Sequence, residues 1–251
     1  MVDRYQTTTT KTTKVEVVKL KSSIRLIMYG GSRKSSDNSA FLYASKNVVK
    51  DYKNDLPVKS FFISQGVNQL IDLINAQAEN SIQSLDIFCH GSELGLYSIL
   101  NASLDSSVSY EYVQLNNLES NLYRNKLTKF SQWEIFGGAS WHNLFVISDI
   151  NFKKFTNESK IEIHGCNTAL DGKSDTFSAE LSKALFKVGR KRSIVIGHAD
   201  YANPNRGGTR EISKQDYRHE LRIVYHNGNV IAKTKMEGRI PASFIRKSLG
   251  G

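Results

Sequence analysis

Hydrophobic and polar residues alternate with a period of two in several short runs, and between those runs the apolar positions recur at helical spacing. Lys14–Leu20 (KVEVVKL) and Ser23–Tyr29 (SIRLIMY) predict strands, the second stopped by Gly30-Gly31. Asn38 or Ser39 is placed to cap a helix through about Tyr52, with Phe41, Leu42, Ala44 and Val48 on one side. Pro57 opens a strand over Val58–Ser64. Gly66–Asn80 then sets Val67, Leu70, Ile71, Leu73 and Ile74 at helical spacing. Leu85–Cys89 (LDIFC) is a short apolar strand ending at His90-Gly91, and Lys160–His164 (KIEIH) is another, ending at Gly165-Cys166. A helix is expected over Ser174–Val188 and a strand over Ser193–Gly197. Leu221–Tyr225 and Val230–Lys235 flank Asn227-Gly228, a strong hairpin signal. Strands alternating with helices imply an α/β fold, a mainly parallel sheet flanked by helices with an antiparallel C-terminal hairpin.

The middle stretch, Ser92–Ser159, does not fit that rhythm. Trp133, Gly137-Gly138 and Trp141 suggest an ordered insertion, and Asp149–Phe155 a short helix. The Thr-rich start, residues 1–13, reads as a disordered lead, leaving 14–251 as one domain with an insertion at 92–159 and a basic region at 203–251. At 251 residues and 39% hydrophobic the chain is neither disordered nor, lacking a run of about 18 apolar residues, membrane-spanning. The start has no apolar segment of the Sec type, so a cytoplasmic location or export by another route is expected. Two cysteines make no disulfide framework.

Ligands and reacting groups in open parallel sheets sit at the carboxyl ends of strands. Two strands here end in reactive side chains, His90 and Cys166. If the strands are neighbours, the histidine can take the thiol proton and later return it to a leaving amine, since a free thiol has a pKa of roughly 8.5. The amides of Gly91 and Cys166 are then candidates for an oxyanion hole. Asp86 shares the alternation with His90 and is a candidate to orient it. Cys89, on a strand face with Leu85 and Ile87, reads as core. His164 with His90 forms a thin metal-ligand set, and no tight pair such as C-x₂-C supports a metal.

An apolar strand ending in His-Gly, followed later by one ending in Cys, resembles the caspase-like cysteine peptidases of clan CD. The likeness covers about Ser23–Ala202, and IHGCNTA is closer to the CHAT-domain and bacterial toxin autoprocessing domains than to caspases. The caspase signature Q-A-C-x-G is missing, and His90 and Cys166 are 76 positions apart against roughly 50 in caspases. The resemblance implies His90 as base, Cys166 as nucleophile, a protein or peptide substrate, and a setting in a toxin or effector. It also implies that the loop after the following strand lines the S1 pocket, where Asp200 would favour a basic P1 residue.

The net charge of +10 lies wholly beyond residue 182, where 15 Lys and Arg face five Asp and Glu. Arg222, Lys233 and Lys235 on the hairpin are candidates for a polyanion site. By resemblance to toxin-processing domains, inositol hexakisphosphate is the candidate allosteric activator, with no cofactor required for the chemistry. The alternative is a non-catalytic module that binds a polyanion or nucleic acid on the same scaffold. No nucleic-acid motif accompanies the charge.

Overall fold

The computed structural model describes residues 23–52, 54–105, 134–136, 144–204, 211 and 214–250. The strand expected at Lys14–Leu20, the Thr-rich lead and the Trp133–Trp141 signals lie outside these residues, apart from the backbone of 134–136. In chain order the strands are Ile24–Gly30 (β1), Val58–Ile63 (β2), Ile82–Phe88 (β3), His90–Ser92 (β4), Gly95–Ser98 (β5), Glu134–Phe136 (β6) and Leu144–Phe145 (β7), followed by Phe155–Ile163 (β8), Ile194–His198 (β9), Arg222–His226 (β10) and Asn229–Thr234 (β11). The helices are Ser35–Asp51 (α1), Gly66–Asn75 (α2), Phe177–Lys187 (α3) and Ala242–Ser248 (α4).

Seven strands form the main sheet in the order β11-β10-β9-β8-β3-β1-β2. The five from β9 to β2 run parallel; β10 and β11 are the antiparallel addition expected at the C-terminus. Helices cover both faces. Ile27, Tyr29 and Phe88 pack under Phe41, Leu42 and Val48 of α1. On the same face, Ile194, Ile196 and Val224 pack under Phe244 and Ile245 of α4. Leu26, Met28, Leu85, Ile87, Ile161 and Ile163 face the other way, against α2 and α3. The apolar runs of β1 and β3 are therefore strands buried on both sides. A second, small sheet has the order β4-β5-β6-β7 and grows from the end of β3.

Three of the boundaries that differ from expectation have a clear local reason. Helix α1 starts at Ser35, because Asn38 is not its cap: the Asn38 amide is spent on Ser32, accepting from its N–H and donating to its carbonyl, both at 2.8 Å. Helix α2 stops at Asn75, where the Gln77 side chain turns back to donate to the Leu73 carbonyl at 2.8 Å. Asp149–Phe155 is not one helix but two 3-10 turns, Ile147–Asp149 and Phe152–Lys154, before β8 begins at Phe155. Strand β8 thus reaches into the stretch read as insertion.

Candidate active site

The register of β3 against β8 brings the two reactive strand ends level. Asp86 lies opposite Glu162 and Ile87 opposite Ile163, and the His164 amide donates to the Ile87 carbonyl at 2.8 Å. Immediately beyond, the chains touch through two glycines. A Cβ on Gly165 would lie 3.2 Å from the Cys89 carbonyl oxygen and 3.2 Å from Gly91 Cα. One on Gly91 would lie 2.8 Å from the Thr168 methyl and 3.3 Å from the Cys166 carbonyl oxygen. A side chain at Gly91 would clash with the Thr168 methyl, and one at Gly165 would press on the backbone of Cys89 and Gly91, so both positions favour glycine. The turn that carries Cys166 is tied down from the next strand: Asn167 N–H donates to the Asp200 carbonyl at 2.9 Å, and Ala169 N–H to the His198 carbonyl at 2.9 Å.

This close approach places His90 and Cys166 on the wall of one crevice of about 380 Å³. Asp37 from the first turn of α1 lines it too, and Phe41 and Tyr217 supply its apolar side. His90 is anchored through Nε2, which lies 3.0 Å from Ser32 Oγ and 3.2 Å from Asp37 Oδ2; Ser32 Oγ in turn donates to Asp37 Oδ2 at 3.2 Å. A carboxylate only accepts, so these partners hold the proton on Nε2 and leave Nδ1 as the basic nitrogen of the ring. The Phe41 ring meets the imidazole edge-on, centroids 5.5 Å apart. Cys166 is half-buried beside Ala202, its Sγ 4.0 Å from that carbonyl oxygen. Cys89 is core, as its strand position implies, and burial pushes its thiol up.

Beneath the crevice the same face of the sheet carries a buried polar row. Asp86 is fully buried and accepts from Tyr52 Oη at 2.9 Å, with His164 Nε2 at 3.3 Å; it does not orient His90. Lys160 Nζ sits 2.6 Å from Glu162 and 3.6 Å from Asp86, and Arg222 donates to the other Glu162 oxygen. Two carboxylates, one ammonium and one guanidinium balance. Asp86, Glu162 and His164 hold ligand-type atoms within 4.8 Å of one another, but Lys160 and Arg222 already supply the positive charge that a metal ion would bring. His90, expected beside His164 in any metal set, is not in that group.

The other sequence-derived candidates separate. Arg222 cannot serve a polyanion site: it is wholly buried, on Glu162 and on the Met236 and Gly238 carbonyls. Pairing of Ile223 with Lys233 puts exposed Lys233 on the opposite face of the hairpin from Arg222. Lys235 is exposed just past β11. Asp200 is exposed and caps its neighbour, accepting from Tyr201 N–H at 2.8 Å; it is not among the described residues lining the crevice. Sequence reasoning missed Ser32 and Asp37, whose only signal was the polar stretch after Gly30-Gly31 at the end of a strand neighbouring the histidine strand, and read Asn38 only as a helix cap.

His198, at the end of β9, is buried, and among the described residues neither ring nitrogen has a hydrogen-bond partner. Burial, with His164 and Arg222 nearby, lowers its pKa from the ordinary 6.5 to about 3. The folded protein therefore refuses a proton that the unfolded chain accepts below 6.5, and this contribution to stability is complete above that pH and lost as pH falls toward 3. Between pH 7.5 and 5.0 the loss amounts to about 2 kcal/mol. Urea denaturation at the two pH values should show it, and His198→Phe should remove most of the difference; an unchanged difference would assign it elsewhere.

Among the described residues no helix is long and apolar enough to cross a membrane. No protein-family model, curated protein or solved structure matches the chain.

Proposed function

We propose that this chain is a cysteine endopeptidase of the caspase-like kind, acting on itself or on a partner protein. The Cys166 thiol gives its proton to His90 Nδ1 and its sulfur adds to the peptide carbonyl carbon. The amides of Gly91 and Cys166 meet the oxyanion that forms. The imidazolium then protonates the amine as the C–N bond breaks, leaving a thioester on Cys166. Water, deprotonated by His90, hydrolyses the thioester and restores the thiol.

What supports the reading is one observation: the Gly91–Gly165 contact brings a half-buried thiol and an anchored imidazole to a single crevice at the carboxyl edge of the sheet. The competing reading, a polyanion-binding module, loses support with Arg222 in the interior. A polyanion activator forms no part of the proposal.

Thiol reactivity tests it. With iodoacetamide near neutral pH, Cys166 should alkylate selectively over buried Cys89, and His90→Ala should slow that reaction by about 100-fold. A peptide-library digest should yield cleavage by the wild type and none by Cys166→Ala. Equal, slow labelling of both cysteines, indifferent to His90, would sink the proposal.

A further inference from the structure

A second cavity lies at the other end of the same sheet face, at the amino-terminal ends of the parallel strands. It has a volume of about 210 Å³ and opens between the C-terminal end of α1 and helix α4. Its walls divide by chemistry. Ile194, Ile240, Ile245 and Leu249 form an apolar side, where α4 meets the start of β9. Arg25, Arg192, Arg239 and Arg246 form a cationic side.

Among the described residues these four guanidinium groups pair with two carboxylates. Asp55 is shared by Arg25 at 2.6 Å and Arg239 at 3.3 Å, and Glu158 pairs with Arg192 at 3.0 Å. Arg246 has no ion pair or hydrogen bond among the described residues and stands exposed at the mouth. Lys160 at the floor is balanced internally by Glu162 and Asp86. Two positive charges are left over. Arg25 and Arg239 are also held in place, lying 4.4 and 4.9 Å from the centre of the Tyr52 ring. Tyr52 itself is fixed by its hydrogen bond to Asp86. The Arg25–Arg239 part of the cationic wall is therefore pre-formed, which lowers the ordering cost of binding there.

We infer that this cavity is a binding site for a small amphipathic organic anion, with a single carboxylate or phosphate-monoester head on an apolar body. The head meets Arg246 and Arg239, which offer the charge-assisted, forked donors that such groups take. The body lies along Ile245, Leu249 and Ile194. The volume corresponds to about seven waters, enough for a ligand of roughly eight to eleven non-hydrogen atoms. An inositol polyphosphate is a poor match: it has no apolar part, and two surplus charges leave most of its own unpaired. The site uses neither His90 nor Cys166, so it stands or falls apart from the peptidase reading.

Calorimetric titration of the full chain with hexanoate and with hexyl phosphate tests it, with inorganic phosphate and hexanol as controls. One or both amphipathic anions should bind one-to-one with a dissociation constant on the order of 0.1–1 mM, and the tighter of the two identifies the head. The controls should bind at least about tenfold more weakly. Arg246→Gln removes an exposed, unpaired side chain and should weaken binding about tenfold without a change in Tm. Leu249→Asp, on the opposite wall, should weaken it as well. Equal binding of inorganic phosphate and hexyl phosphate would reduce the site to a surface charge effect and overturn the inference. So would no saturable binding of either amphipathic anion, or affinity unmoved by both substitutions.

Discussion

Asp37→Asn is expected to slow Cys166 alkylation and peptide cleavage by about 100-fold, with Tm unchanged. The reason lies in the tautomer of His90. Asp37 and Ser32 both receive Nε2–H, which keeps Nδ1 free of a proton and able to take one from sulfur. An asparagine can turn its amide N–H₂ toward Nε2, and the ring then carries its proton on Nδ1, the wrong nitrogen. The imidazolium also loses its counter-charge, so transfer of the proton from sulfur is less favourable. A fall smaller than that caused by losing a buried catalytic aspartate is expected, since Asp37 is about one-third exposed and Ser32 remains as an acceptor. On the proposed mechanism Asp37 is a positioning residue, and a fall in rate with Tm unchanged separates that role from a structural one. Rates within about twofold of wild type would remove Asp37 from the mechanism.

Glu162→Ala is expected to destabilise the protein by about 3–5 kcal/mol, because it takes the carboxylate from buried Arg222 and leaves Lys160 on its longer 3.6 Å contact with Asp86, one positive charge in excess. Arg222 is 0% exposed and Lys160 keeps only 13% of its side-chain exposure, so neither can recover hydration without moving the sheet. Burial works to raise the Glu162 carboxyl, but Lys160 and Arg222 outweigh it and hold it well below the ordinary 4.5. Asp86 is likewise lowered from 3.8, by Lys160 and His164 against the pull of burial. For both groups the folded pKa lies below the unfolded one. Their contribution is therefore complete above about pH 4.5, and lost as pH falls through the folded values. That window lies below most of the range set by His198, so a stability profile from pH 7.5 to 3 should fall in two stages, with Glu162→Ala flattening only the lower one. A loss under about 1 kcal/mol at pH 7.5 would mean that Arg222 and Lys160 find water when Glu162 is gone.

The central strands were legible because burial on both faces favours apolar runs: β1 has one over Leu26–Tyr29, and β3 keeps Leu85, Ile87 and Phe88 around the buried Asp86. The His-Gly and Gly-Cys endings were legible as well, since a reactive residue next to glycine at a strand end is a local pattern. The partners of His90 were not: Ser32 and Asp37 lie more than fifty positions away and reach it only through the adjacency of β1 and β3. The start of β8 was hidden by its polarity, as Thr156, Asn157 and Glu158 stay outside the apolar core. Arg222 was misread for the opposite reason. Alternation in the hairpin separates two faces without saying which meets water, and here α4 and the Met236–Gly238 turn cover the face that Arg222 occupies. The seven residues of α4 are too short for a helical period to register, yet they turn the surplus of arginines into one wall of a cavity.

The back-to-back glycines bear on how the crevice can respond to a bound chain. His90 and Cys166 stand on two strand ends in backbone contact, with no side chain between them to act as a spacer. Thiol and imidazole are thereby carried as one block, fixed to two neighbouring strands in the middle of the sheet. The Ser32–Asp37 brace and the Ala202–Tyr217 wall come from other segments. On the proposed peptidase reading, any adjustment to a bound chain therefore falls to those outer segments, while the spacing of His90 and Cys166 is set by the sheet.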